Sequence, residues 1–233
     1  MLERLKEIQA SGNRWYRGQI DSAWGLEPSV KRHRGWIDGE RDMLKRFRQS
    51  ASYRSARLPI DDWEWLCLAQ HHGVPTRLLD WSENPLLALF FAVEHDQNQD
   101  KADCAGEFYS LQPSELNRAQ FGAGVDLLLL GSEGTRIDRY LPSEEFTQMG
   151  GPIAVLAPQS FDRLVAQSGV FTISHPLDSA DMQVSCSAQL ESWTIPVEFK
   201  QGIREELELL GIHAASVYPD LEHIGARIKN SYV

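Results

Sequence analysis

Residues 61–93 read DDWEWLCLAQHHGVPTRLLDWSENPLLALFFAV, and this stretch decides the fold class because it holds two apolar helical patterns separated by a polar joint. Asp61 and Asp62 suit the N-terminus of a helix whose buried stripe is Trp65, Leu66, Leu68 and Ala69. Gly73 can take the left-handed conformation that closes it, so His71 and His72 fall at its C-terminal end. After the short stretch Val74 to Leu79, any of Asp80, Ser82 or Asn84 can cap the next helix, with Pro85 tolerated in its first turn. Its residues Leu86 to Val93 are apolar nearly all round, which predicts a buried helix rather than an amphipathic one.

Upstream, Asn13 to Ile20 mix aromatic and polar residues with Gly18 as the breaker, which predicts a short strand with Arg17 at its exit. From Glu40 to Tyr53, the recurrence of Met43, Leu44, Phe47 and Ala51 predicts an amphipathic helix with a basic outer face. Downstream, Gly106 to Leu111, Ile153 to Ala157, Gly169 to Ser174 and Ser192 to Val197 read as short strands. Ile203, Leu207 and Leu210 mark a helix closed by Gly211, and His213 to Tyr218 reads as a last strand. The class predicted is α+β, with a mainly antiparallel sheet and helices concentrated in the N-terminal half. No repeat or linker divides the 233 residues, so one domain over 1–233 is expected.

Hydrophobic residues make up 42% and charged residues 24%, an ordinary globular balance. MLERLKEIQASG is charged from its third residue and lacks a signal peptide's apolar core, and the longest apolar run is too short to span a bilayer. The three cysteines, Cys67, Cys104 and Cys186, show no paired spacing, which fits a reducing, cytoplasmic setting and not a disulfide framework. A net charge of −10 excludes broad attraction to nucleic acid, so an RNA partner needs a local basic patch. The stretch Lys31 to Arg57 supplies one, with Lys31, Arg32, Arg34, Arg41, Lys45, Arg46, Arg48, Arg54 and Arg57. A solvated helix face accounts for the same charges.

The chemistry-bearing residues gather in two places. In WYRGQ, Gly18 lets another backbone or a ligand approach Arg17 closely, and a fixed guanidinium matches two phosphate or carboxylate oxygens at once. A structural salt bridge is the alternative. Between the two apolar helices stand Gln70, His71, His72, Thr76, Arg77, Asp80, Trp81 and Ser82, polar groups that must satisfy one another or face a ligand. A buried network of Arg77 with Asp80 would satisfy them without a ligand, whereas the helix start before Pro85 offers free N–H groups to an anion. His71 and His72 diverge by about 100° on a helix, so no metal is expected from them. Cys67 lies on a helix with no positive group dictated nearby and reads as core. In VYPDLEHIG, Asp220 fits ordinary turn chemistry after Pro219, while Glu222 is a carboxylate that could serve Arg17's site if the turn packs beside it.

WYRGQ, the 61–93 block, RLVAQSGVFTI and VYPDLEHIG together resemble the FRG domain, in that family's order from Trp15 to Gly225, with Tyr16 at the aromatic position. The resemblance implies an ADP-ribosyltransferase-like layout. Arg17 is similar to the arginine of the transferases' arginine-serine-glutamate pattern, and Asp80, Trp81 and Ser82 fall where their Ser-Thr-Ser element lies, only Ser82 keeping its side chain. On that resemblance Tyr16 to Gln19 border an NAD site in which Arg17, Thr76 and Ser82 hold the dinucleotide and His71, Arg77 and Trp81 shape the pocket. Glu222 or Asp220 would supply the catalytic acid, though no Glu-x-Glu strand accompanies them. The activity implied is NAD-dependent ADP-ribosylation of RNA by a phage-defence toxin, with an antitoxin protein, accompanied or not by a chaperone, as partner. Two other readings compete: a non-catalytic nucleotide sensor, and a nuclease holding Mg²⁺ with Asp80, Asp220 and Glu222.

Overall fold

The computed structural model describes residues 12–53, 58–94, 104–132, 135–142, 150–158, 166–175, 181–218 and 220–232. The chain opens with β1 (Trp15–Gln19), a 3-10 turn at Ser29–Arg32, α1 (Arg34–Ala51), α2 (Asp62–His71), β2 (Leu78–Ser82) and α3 (Pro85–Val93). It continues through β3 (Gly106–Leu111), α4 (Pro113–Phe121), β4 (Leu128–Leu129), α5 (Thr135–Asp138), β5 (Ile153–Leu156) and β6 (Gly169–Ile173). The remaining elements are α6 (Met182–Ser185), β7 (Leu190–Ile195), α7 (Val197–Leu209), α8 (Ala214–Val217) and α9 (Leu221–Asn230).

The strands form one seven-stranded sheet in the order β4-β5-β6-β2-β1-β3-β7, antiparallel throughout except for the β4–β5 pair. This is the mixed α+β, mainly antiparallel class the sequence predicts. The sheet is joined unevenly. β1 pairs with β3 from Trp15↔Leu111 to Gln19↔Glu107, and β2 pairs with β6 from Leu78↔Ile173 to Ser82↔Gly169. Between β1 and β2 the register holds a single pair, Tyr16↔Ser82. Two well-paired halves therefore meet at one point, and β1 and β2 part beyond it.

Helix α3 sits over that junction. Asn84 accepts a hydrogen bond from the Leu86 N–H at 2.9 Å, and Pro85 needs no N–H partner in the first turn. Burial outweighs the cap: Leu87, Leu89, Phe90 and Val93 are all buried, at roughly 1.5–3 kcal/mol each against about 1 kcal/mol for the cap. The helix lies directly on the sheet because two strand residues have no side chain. A Cβ on Gly18 would stand 1.9 Å from the Ala88 carbonyl oxygen, and one on Gly106 would stand 2.2 Å from that of Ala92. Tyr16, Phe108 and Ile195 complete this core, with Tyr16 and Phe108 stacked at 5.8 Å. A second cluster packs Trp63, Leu66 and Cys67 of α2 against Leu78, Val155 and Phe171, and a third holds Trp15, Leu79, Trp81 and Tyr109.

Four expectations are corrected. Leu78–Ser82, read as the tail of a connecting stretch, is the central strand β2; its burial is nearly continuous, so the alternation that marks a half-exposed strand is missing. His213–Tyr218, read as a strand, contains α8, because the His213 side chain accepts from the Ser216 N–H at 3.1 Å while Ser216 Oγ accepts from the His213 N–H at 3.0 Å. Helices do not concentrate in the N-terminal half, since α7 and α9 follow the last strand. Helix α1 begins at Arg34 rather than Glu40, because His33 accepts from the Gly35 N–H at 3.1 Å and caps it there. Among the described residues no helix is long and apolar enough to cross a membrane.

Candidate active site

A cavity of about 640 Å³ opens where β1 and β2 part. β1 borders it with Tyr16, Arg17, Gly18 and Gln19, and β2 with Asp80, Trp81 and Ser82. The end of α2 adds Cys67, Gln70 and His71. The two segments singled out in the sequence do converge on one polar cavity.

Arg17 reaches across the gap between the sheet halves, donating from Nη1 to the Asp80 carbonyl oxygen at 2.7 Å. Its Nε is buried with no hydrogen-bond partner. Burial lowers the guanidinium's proton affinity, the Asp80 carboxylate opposes that shift, and Arg32, which also lines the cavity, adds to it. An arginine stays protonated regardless, so the shift describes a desolvated cation, a group that gains from an anion placed beside it. Gln19 repeats the pattern at 3% exposure: Nε2 donates to the Gly25 carbonyl at 3.3 Å, while Oε1 is buried and unpartnered. Unmet buried polar atoms cost about 1–3 kcal/mol each, and both of these residues border the cavity.

The remaining wall is held by a relay. Thr76 Oγ1 donates to Gln70 Oε1 at 2.6 Å, and Gln70 Nε2 donates to Asp80 Oδ2 at 2.8 Å. Ser82 Oγ donates to the Gln167 carbonyl at 2.7 Å and accepts from the Asn84 N–H at 3.0 Å, tying the end of β2 to the segment before β6. Trp81 Nε1 donates to Thr172 Oγ1 at 2.9 Å, which fixes its ring in the core. The His71 ring meets that of His72 edge-on at 4.8 Å. Cys67 borders the cavity as an inert thiol, since burial first, and then the acidic Asp61, Asp80 and Glu64, push it well above its ordinary value. Its place in the apolar cluster of α2 agrees with a core role.

Four anticipated residues stand elsewhere. Thr76 is wholly buried and faces Gln70, not the cavity. Arg77 does not pair with Asp80: Nε and Nη2 clamp Glu40 at 3.1 and 2.6 Å, and Nη1 donates to the Tyr140 carbonyl at 2.7 Å. The pair is 6% and 2% exposed, an internal strut between α1 and β2 rather than a pocket wall. Asp220 caps α9, accepting from the His223 N–H at 2.9 Å and lying 2.8 Å from His223 Nδ1, and Glu222 stands exposed in the first turn of that helix. Neither borders the cavity.

The cavity's far side instead presents Glu94, Phe91, Gln167 and Tyr218, none of which is among the site residues the sequence predicts. Glu94 is the first acid after the apolar run of α3, a position that reads as an ordinary helix end. Tyr218 lies in the VYPDLEHIG segment, ahead of both of its carboxylates, and its hydroxyl donates to Glu94 Oε2 at 2.9 Å.

Of the basic stretch, Arg32 reaches the cavity, Lys45 and Arg46 are exposed on α1, and Arg34 and Arg48 pair with Asp38 and Asp62. Arg54 and Arg57 lie outside the described residues. Among the described residues no group of three or more His, Cys, Asp or Glu side chains could hold a metal ion.

Residues 12–101 match the family model of the FRG domain. No curated protein and no solved structure matches the chain. The matched span takes in Arg17, the α2–β2 joint and Glu94, and it ends before Gln167 and Tyr218.

Proposed function

We propose that this chain, which carries an FRG domain, is an ADP-ribosyltransferase that uses NAD as co-substrate and RNA as acceptor, and that it acts as a toxin in phage defence. The observation that carries the reading is Arg17, a desolvated guanidinium bordering the cavity at the split between two sheet halves, with its buried Nε left without a hydrogen-bond partner. We read that split as an ADP-ribosyltransferase-like cleft. A cavity of about 640 Å³ lies within the range that admits a nucleotide-sized ligand. Arg17 and Arg32 offer planar donors to a diphosphate, and Phe91 and Tyr218 offer aromatic walls to a ring. NAD supplies the activated glycosidic bond; the protein orients it and keeps water away. Lys45 and Arg46, exposed on α1, would meet the RNA backbone locally despite the overall charge of −10.

The test is incubation of the purified chain with labelled NAD and total RNA or total protein. Label on RNA, lost in Arg17→Ala together with about 10–100-fold weaker NAD binding, supports the reading, that range being a lost charged hydrogen bond of roughly 1.5–3 kcal/mol. No label and no free nicotinamide from folded protein overturns it. One observation favours a non-catalytic nucleotide sensor instead: Asp220 and Glu222 lie off the cavity. That reading predicts saturable NAD binding without nicotinamide release.

A further inference from the structure

We propose that α9 is the contact through which this chain pairs with a second copy of itself, the two helices lying antiparallel about a twofold axis. Helix α9 is amphipathic with its faces reversed. At about 100° per residue, Leu221, Ile224, Gly225 and Ile228 form one stripe, and His223 and Arg227 stand away from it. The polar side meets the rest of the protein: the His223 ring stacks on Tyr218 at 4.7 Å, and Arg227 Nη1 donates to Glu208 Oε1 at 2.6 Å. The apolar stripe is turned to solvent, with Leu221 86% and Ile228 57% exposed, and no residue of the helix is buried. Leu209 and Leu210, next in sequence to Glu208, and Tyr232, just past α9, are exposed too. Single exposed apolar residues need no explanation, but this many within 209–232 mark an interaction face.

What fits this stripe is the same stripe reversed. Glu222 and Lys229 lie on one flank of it, near opposite ends of α9, and both are exposed. In an antiparallel pair related by a twofold axis like flanks meet, so Glu222 of each copy faces Lys229 of the other. A parallel pair would set that flank against the opposite one and lose both ion pairs. Antiparallel order also opposes the two helix dipoles favourably. The axis passes midway between Glu222 and Lys229, at Gly225 and Ala226. A Cβ on Gly225 would meet nothing within 4 Å, so packing within one copy does not call for glycine there, and the missing side chain lets a second helix approach closely at the crossing. The chain's net charge of −10 opposes self-association, whereas this segment is balanced, Asp220 and Glu222 against Arg227 and Lys229.

The experiment is sedimentation equilibrium of the full chain from about 1 μM to 1 mM, the range suited to a small interface, and it does not depend on the transferase reading. The wild-type mass is expected to rise from one chain toward two. Ile224→Asp, which buries an unpaired carboxylate in each copy, should weaken pairing by about 100-fold or more. Glu222→Lys and Lys229→Glu, each setting like charges together twice, should weaken it about tenfold. The double variant carrying both exchanges should return to within about threefold of wild type, a rescue that only the antiparallel arrangement provides. A wild-type chain that stays single throughout, or a dimer indifferent to Ile224→Asp, overturns the proposal. A double variant no tighter than its parents overturns the antiparallel pairing. If Ile224→Asp loses its fold by circular dichroism, the charge variants decide: weakening in each and rescue in the double support the proposal, and any other pattern overturns it.

Discussion

Two arginines of similar sequence setting have opposite fates, and burial with a partner separates them. Arg77 is satisfied completely by Glu40 and the Tyr140 carbonyl, so its charge stabilises the joint between α1 and β2 and has nothing left for a ligand. Arg17 keeps an unpartnered donor at a cavity. Glu40→Ala should therefore destabilise the fold by about 3–5 kcal/mol, because it strands the Arg77 guanidinium in the interior, a loss that denaturant titration would read. A change below about 1 kcal/mol would mean that Arg77 finds water or another carbonyl. The same contrast explains why Asp80 is not a free acid, since Gln70 holds its Oδ2 and Arg17 its backbone oxygen.

At the scale of elements, α3 and β1 depend on one missing side chain. With the Ala88 oxygen 1.9 Å from where a Cβ would stand, Gly18→Ala must lift α3 from the sheet. A loss of about 1–3 kcal/mol or more is expected from such overpacking, together with weaker NAD binding because Arg17 is the adjacent residue. Thermal melting beside a binding titration checks both, and an unchanged melting temperature would show that the helix shifts freely. Helix α9 makes a separate prediction. The Asp220 carboxyl is held below its ordinary value by the His223 backbone N–H first and by the His223 side chain second. A lowered folded value means that the cap's contribution is fully present above the usual aspartate value of about 3.9 and is lost as pH falls through the folded value. Amide protection in α9, taken relative to the intrinsic exchange rate at each pH, should fall on acidification in the wild-type chain and stay level in Asp220→Asn, whose side chain caps without titrating. An identical acid response in both chains would place the titrating group elsewhere.

Across the whole molecule, the uneven joining of the sheet explains where the cavity lies. β1–β3 and β2–β6 are each zipped over their lengths, whereas β1 and β2 meet at Tyr16↔Ser82 alone, so the polar cavity forms between two rigid halves instead of in a loop. Arg17 bridges those halves through its bond to the Asp80 carbonyl, and Glu94 borders the same cavity. The toxin reading makes its prediction at this scale: expression of the wild-type chain alone should arrest growth, while Arg17→Ala, folded to the same level, should be tolerated. Normal growth with folded wild-type protein would count against a toxin.

Local chemistry made much of this protein legible in its residues. The caps at Asp61, Gly73, Asn84 and Gly211, the apolar run of α3 and the Arg17–Gly18 pair act within a few positions of themselves, and each element they imply is present. Tertiary structure decided what depends on distant partners. β2 carries no alternating signal because both its faces are covered. Arg77 chose Glu40, 37 positions away, over its near neighbour Asp80. Glu94 and Tyr218 are 124 positions apart and became a site pair only when α8 was brought against the end of α3. A short-range pattern records which conformation a segment prefers; which charge stays unpaired, and which carboxylate faces the cavity, follows from how the segments pack.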